Sequence, residues 1–194
     1  MKFSGSGTTT LTGFNSYSGA TTIANGTTLK VTGTLSDQTA VNVEEGGTYE
    51  VESSDQVGSI EGAGKIRIAK RRMLAAGILH TDTEFSGEIS GDGSFEKKGR
   101  GMTILSGENS YEGKTVITNG ILKVSGALSD LTAVNVGKNG TYQVELTDEV
   151  GSIEGSGSIE IADGMTLTAG GLNSHTEVSG VISGVGGFTK VGDG

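Results

Sequence analysis

The sequence predicts an all-β chain whose short strands stack in parallel as a β-solenoid of about eight coils, with no significant helix. Three observations carry this. The second half repeats the first at a spacing of 93–94 residues, polar and apolar residues alternate in short runs, and glycine-rich turns separate those runs. The chain has 194 residues, 35 of them Gly, with no Pro, Cys or Trp. Average Gly usage is about 7%, so this chain carries more than double. No Gly-x-y triplet runs through it, which excludes collagen. Recurring Val, Ile and Leu argue against disorder. The low apolar share, 33%, suits a solenoid, whose core is only one coil wide.

The repeat is direct. Gly13-Phe14-Asn15-Ser16-Tyr17-Ser18-Gly19 returns as Gly107-Glu108-Asn109-Ser110-Tyr111-Glu112-Gly113. Beyond one extra Thr near Thr27–Thr28, Val57-Gly58-Ser59-Ile60-Glu61-Gly62 returns as Val150-Gly151-Ser152-Ile153-Glu154-Gly155. Within each copy the period is two. Leu29 and Val31 flank Lys30, and Leu122 and Val124 flank Lys123. Val134 and Val136 flank Asn135, Tyr142 and Val144 flank Gln143, and Ile159 and Ile161 flank Glu160. Such alternation marks half-buried strands. Asn119-Gly120, Asn139-Gly140, Asp163-Gly164 and Gly170-Gly171 supply turn positions. Asn-Gly pairs by themselves favour antiparallel hairpins and a sandwich. The long period outweighs them, because it divides into about four coils of roughly 23 residues. The chain reads as a first repeat over 1–98, a second over 99–191 and the start of a third over 192–194, in one continuous solenoid.

Phe85-Ser86-Gly87-Glu88-Ile89-Ser90-Gly91-Asp92-Gly93-Ser94-Phe95-Glu96-Lys97-Lys98-Gly99, followed by Met102-Thr103-Ile104-Leu105-Ser106-Gly107, Asn109-Ser110-Tyr111-Glu112-Gly113 and Asn119-Gly120-Ile121-Leu122-Lys123-Val124, resembles the autotransporter-associated β-strand repeat. This is the passenger-associated repeat of type V secreted bacterial surface proteins. The first copy resembles it through Gly13, Asn15, Tyr17, Gly19 and Asn25-Gly26, with Thr8 and Thr10 where the second has Met102 and Ile104, a weaker apolar strand. The resemblance implies a right-handed parallel β-helix on a Gram-negative cell surface, acting as a non-enzymatic structural or adhesive stem. It brings no catalytic residues and no cofactor. Its implied partners are neighbouring repeats of a longer chain and a host surface or polysaccharide. Two other readings remain: a carbohydrate-active or polysaccharide-binding β-helix, and a solenoid that self-associates end to end into filaments.

Net charge is −9, which disfavours nucleic acid as a partner. No run approaches the ~20 apolar residues of a membrane span, so this segment is not expected to insert. Zero Cys removes disulfides and thiolate metal sites. The two histidines do not recur in register: His80 aligns with Asn173, and His175 with Asp82. Carboxylates recur in pairs, Asp37 with Asp130, Glu52 with Glu145, Asp55 with Asp148, Glu61 with Glu154 and Glu84 with Glu177. Duplication argues against one catalytic pair, and outward solubilising positions explain them. No metal site is expected, since the calcium-binding nonapeptide pattern is missing. The feature that breaks the repeat with charge is Lys70-Arg71-Arg72, which stands opposite Asp163-Gly164-Met165. On an acidic chain these three are the candidate contact for an anionic partner. Lys97-Lys98-Gly99-Arg100 is a second basic stretch.

Overall fold

Alternation sets the local structure. In Thr27–Val31, Thr27, Leu29 and Val31 are buried while Thr28 and Lys30 face outward. Thr48–Val51 repeats this with Tyr49 and Val51 inside. Ile159 and Ile161 are buried in Ser158–Ile161 between outward Ser158 and Glu160. The computed structural model describes residues 1–194, as 22 strands and no helix. Every strand pairing is parallel. Phe3, Ile23, Val43, Gly62, Phe85, Leu105, Val124, Val144, Ile161 and Gly184 lie over one another in register. These nine steps are nine turns of a right-handed parallel β-helix, and at ~4.8 Å per step they make a rod about 43 Å long.

Each turn has three sides. The first face stacks Lys2–Phe3, Thr21–Ile23, Ala40–Val43, Ser59–Gly62, Thr83–Phe85 and Met102–Leu105. Residues 121–124 and 141–144, Ser158–Ile161 and Val181–Gly184 continue it. The second face begins with Gly7–Leu11, Thr27–Val31, Thr48–Val51, Lys65–Ile68 and Glu88–Ser90. The third carries Asp55–Val57, Met73–Ala76, Ser94–Lys97, residues 115–117 and 133–136, and Ser152–Gly155.

Successive turns take 17 to 23 residues along the first face, where the sequence period implied a uniform 23 or so. The physical unit is the side, not the turn. One 93-residue repeat spans fourteen sides, or four and two-thirds turns. Ser59–Gly62 therefore lies on the first face, whereas its counterpart Ser152–Gly155 lies on the third.

Inside, 33 buried residues form one cluster running the length of the rod. Leu29, Tyr49, Ile66 and Ile89 make one column, each on the next turn. Burial of each such side chain contributes roughly 1.5–3 kcal/mol relative to exposure. Met102 and Ile104, which the sequence suggested as an apolar strand weakened to Thr8 and Thr10 in the first copy, face outward and are half-buried, while Thr103 and Leu105 point in. The Thr exchange therefore leaves the core untouched.

Corners between faces bring backbones together more closely than a Cβ allows. A Cβ on Gly87 would sit 1.8 Å from the Gly64 carbonyl oxygen, and one on Gly180 1.8 Å from that of Gly157. Gly87→Ala is expected to destabilise the chain by roughly 1–3 kcal/mol, read as a lower thermal midpoint. Gly171→Ala, whose Cβ comes no closer than 3.7 Å to Glu149 Oε1, is expected to stay within about 0.5 kcal/mol of wild type. Equal effects at the two positions contradict the corner geometry.

Candidate functional site

The corner between the second and third faces carries the basic residues. Ala69 and Arg72 close it, the Arg72 amide donating to the Ala69 carbonyl at 3.0 Å. Arg71 sits in the left-handed region with φ 60°. Its counterpart Gly164 has φ 70°, and Met165 donates to Ala162 at 3.1 Å, so both copies make one turn. Lys70, Arg71 and Arg72 are all exposed. Lys70 Nζ lies 3.4 Å from Asp92 Oδ2, while neither arginine forms an ion pair.

Beside this corner lies a groove of about 300 Å³ on the second face, lined by Lys30, Glu50, Glu52, Arg67, Ile68, Ala69, Lys70, Gly91 and Asp92. The structure thus joins Lys70 to Arg67, which the sequence reading missed. Arg67 is exposed, in register between Glu50 and Ser90, and makes no ion pair. Its signal was available, since it aligns with Glu160. Strand alternation separates it from the contiguous run by two inward or small residues. Lys30 is already engaged, 2.9 Å from Glu52 Oε1 and 3.5 Å from Glu50 Oε2.

The second basic stretch does not form a patch. Lys97 is fully buried, and its Nζ donates to the carbonyls of Lys98 at 2.5 Å, Gly99 at 3.0 Å and Asn119 at 3.3 Å. Burial lowers its pKa to about 8. Lys98 reaches Gln56 at 2.8 Å and Glu96 at 3.5 Å. His80, with φ 61°, accepts the Arg100 amide on Nδ1 at 3.0 Å. Asn173 at φ 54° accepts that of Asp193 at 2.8 Å, so the aligned His and Asn share one capping role.

Asp55 and Asp148, expected on the outside, are buried. Asp55 accepts from the Leu35 amide at 3.0 Å and the Tyr49 hydroxyl at 3.1 Å. Asp148 accepts from the Leu128 amide at 3.1 Å. Each ties one turn to the next. Glu52 and Glu145 stay outside, each 2.9 Å from a lysine, Lys30 and Lys123.

The motif Asn and Tyr residues join turns as well, buried in the second copy and half-buried in the first. Asn15 Nδ2 donates to Gly13 and Thr34 carbonyls at 2.8 and 2.9 Å, and Asn109 Nδ2 to those of Gly107 and Ala127 at 2.8 and 3.1 Å. Tyr17, Thr21 and Thr39 form a hydroxyl chain ending on the Gly19 carbonyl. Tyr111, Thr115 and Thr132 repeat it onto Gly113. The family model of the passenger-associated-transport repeat matches residues 4–31 and 95–124, the stretches that hold Asn15, Tyr17 and Thr21 and their counterparts Asn109, Tyr111 and Thr115. The chain carries two passenger-associated-transport repeats. It is also similar to the adhesin BmaC autotransporter of Brucella suis biovar 1 (strain 1330), at 32% identity over 212 residues. That alignment covers 98% of this chain and 6% of the adhesin, so the chain spans a small part of its relative. No solved structure matches it. As an autotransporter passenger segment, the chain is secreted and surface-exposed.

Within the passenger-associated-transport repeat, Asn bridges a corner to the turn above it, and Tyr anchors the hydroxyl chain beneath. Both roles are structural. The buried aspartates make stability depend on pH. Desolvation pushes Asp148 up to about 6, and Asp55 is raised for the same reason. A carboxyl raised on folding contributes most below its unfolded pKa, near 4, and loses that contribution as pH rises through about 6. Lowering pH from about 7.5 to about 5 is therefore expected to stabilise wild type by about 1–2 kcal/mol more than Asp148→Asn in parallel melts. A second pair of melts compares the tyrosines. Tyr49→Phe is expected to cost about 1 kcal/mol, because it removes a bond to Asp55. Tyr142→Phe is expected to cost less, since the buried Tyr142 hydroxyl has no partner.

Proposed function

We propose that this segment is a non-enzymatic, adhesive stem within a longer surface passenger. The observation that carries the reading is where the recurring polar residues go. Asn15 and Asn109, Asp55 and Asp148, and the two Tyr–Thr chains are all engaged in joining one turn to the next. These recurring residues hold the rod together, and none of them lines the groove beside Lys70. A rod built this way adds length without needing a larger core, because each turn is stabilised by its immediate neighbours. It thereby sets a distance between a cell surface and whatever lies beyond, and offers its outward faces along the way. The similarity to an adhesin supports attachment as the role of those faces.

Cells displaying the 194-residue chain on an inert anchor are expected to adhere to a host-cell layer better than cells displaying the anchor alone. No gain in adhesion removes the adhesive part of the reading. Incubation of the purified chain with polygalacturonate is expected to release neither reducing ends nor unsaturated products, and turnover above a heat-treated control removes the non-enzymatic part.

A further inference from the structure

Four nearby positions change character together between the two repeats. Arg67, Lys70, Arg71 and Arg72 stand where the second copy has Glu160, Asp163, Gly164 and Met165. The backbone of the corner is the same in both, so the scaffold does not call for the charge. One of the four also opposes it. A non-glycine residue in the left-handed region costs roughly 1–2 kcal/mol, and Arg71 occupies a position where the other repeat has Gly. Its exposed side chain makes no ion pair to offset that strain.

We infer that this corner and the adjoining groove bind an acidic polysaccharide, with Arg67 and Lys70 inside the groove and Arg71 and Arg72 on its rim. The inference rests on the adhesive reading and names its ligand class. Guanidinium groups take carboxylates or sulfates through paired hydrogen bonds. The same groove also presents Glu50, Glu52 and Asp92. These accept hydrogen bonds from hydroxyl groups but repel a dense array of anions. Duplex DNA carries a charge about every 1.7 Å, and an anionic bilayer is a continuous charged sheet. Either brings phosphates onto those carboxylates. An acidic glycan spaces its charges by whole sugar rings and fills the gaps with hydroxyl donors. Glu50, Arg67 and Ser90 lie on successive turns, ~4.8 Å apart, so acceptor and cation alternate at close to the length of one sugar.

The test uses the full 194-residue chain over immobilised polygalacturonate, with dextran as the neutral control. Binding is expected to polygalacturonate only, and to vanish near 1 M salt, where screening acts within about 3 Å. Arg67→Glu, Lys70→Asp, Arg71→Gly and Arg72→Met together install residues that the second repeat already carries, so the corner keeps its fold. This variant is expected to bind at least about tenfold more weakly. Its thermal midpoint is expected to be lower, because Arg67→Glu faces Glu50 and Lys70→Asp faces Asp92 where the second repeat has Gln143 and Val185. Arg67→Gln with Lys70→Gln, which sets no like charges together, is expected to weaken binding in the same direction with a smaller loss of midpoint. The converse set, Glu160→Arg, Asp163→Lys, Gly164→Arg and Met165→Arg, is expected to raise the number of sites per chain from one to two. Equal retention on dextran, tighter binding to duplex DNA or to phosphatidylserine vesicles, or unchanged binding by the fourfold variant overturns the inference. Because binding is read on purified chain, such a result is separable from adhesion by displaying cells, on which the stem reading stands or falls.

Discussion

Every turn of this rod must give its amide hydrogens and carbonyl oxygens to the turns above and below at a single spacing, and the rest of the molecule accommodates that. Parallel ladders place each outward and inward side chain directly over its counterpart, so the core becomes a set of columns such as Leu29, Tyr49, Ile66 and Ile89. Corners have to turn without pushing adjacent turns apart. That is why backbone oxygens occupy the space a Cβ would need at Gly87 and Gly180. Where a corner cannot complete its own hydrogen bonding, a side chain does it. Asn15 and Asn109 serve carbonyls, and Asp55 and Asp148 serve amides. Stranded backbone groups inside a rod this thin are costly, so these polar residues recur in both copies.

Which residues face inward was readable from the sequence, because side-chain alternation follows directly from strand geometry. Leu122, Val124, Tyr142, Val144, Ile159 and Ile161 are buried as alternation required. Turn length was not readable in the same way. Corners range from the single Gly58 between Asp55–Val57 and Ser59–Gly62 to residues 170–177 between Thr166–Ala169 and Val178. No local pattern announces how many residues a corner will use, and a period counted in residues hides a unit counted in sides.

The two aspartates show a second limit. A carboxylate that recurs among Gly and Ser looks like solvated surface until its partner is known. For Asp55 that partner is Tyr49, six residues earlier, folded back across the turn. Burial of Lys97 was hidden for the same reason. Its three carbonyl acceptors include Asn119, one turn further along. At the candidate site, the contiguous Lys70–Arg72 run was visible while Arg67 was not, since a strand sends neighbours in sequence to opposite sides and gathers residues from different turns onto one face.

The repeat and the turn are incommensurate, and this decides how surface features are displayed. Because fourteen sides separate equivalent residues, each repeat is rotated by one face relative to the last. The Lys30–Glu52 pair lies along the second face, and Lys123–Glu145 along the first. Features written into every repeat therefore wind around a rod instead of forming a stripe, and three repeats, about 67 Å at the ladder spacing, restore the starting face. A stem made of such units shows its common surface in all three directions. Substituting four residues in one repeat, as at Arg67 and Lys70–Arg72, gives one side an identity that the winding alone averages out. Recurrence and its absence thus separate the two duties of the chain: what both copies share maintains the stacking, and what only one copy has is free to point at a partner.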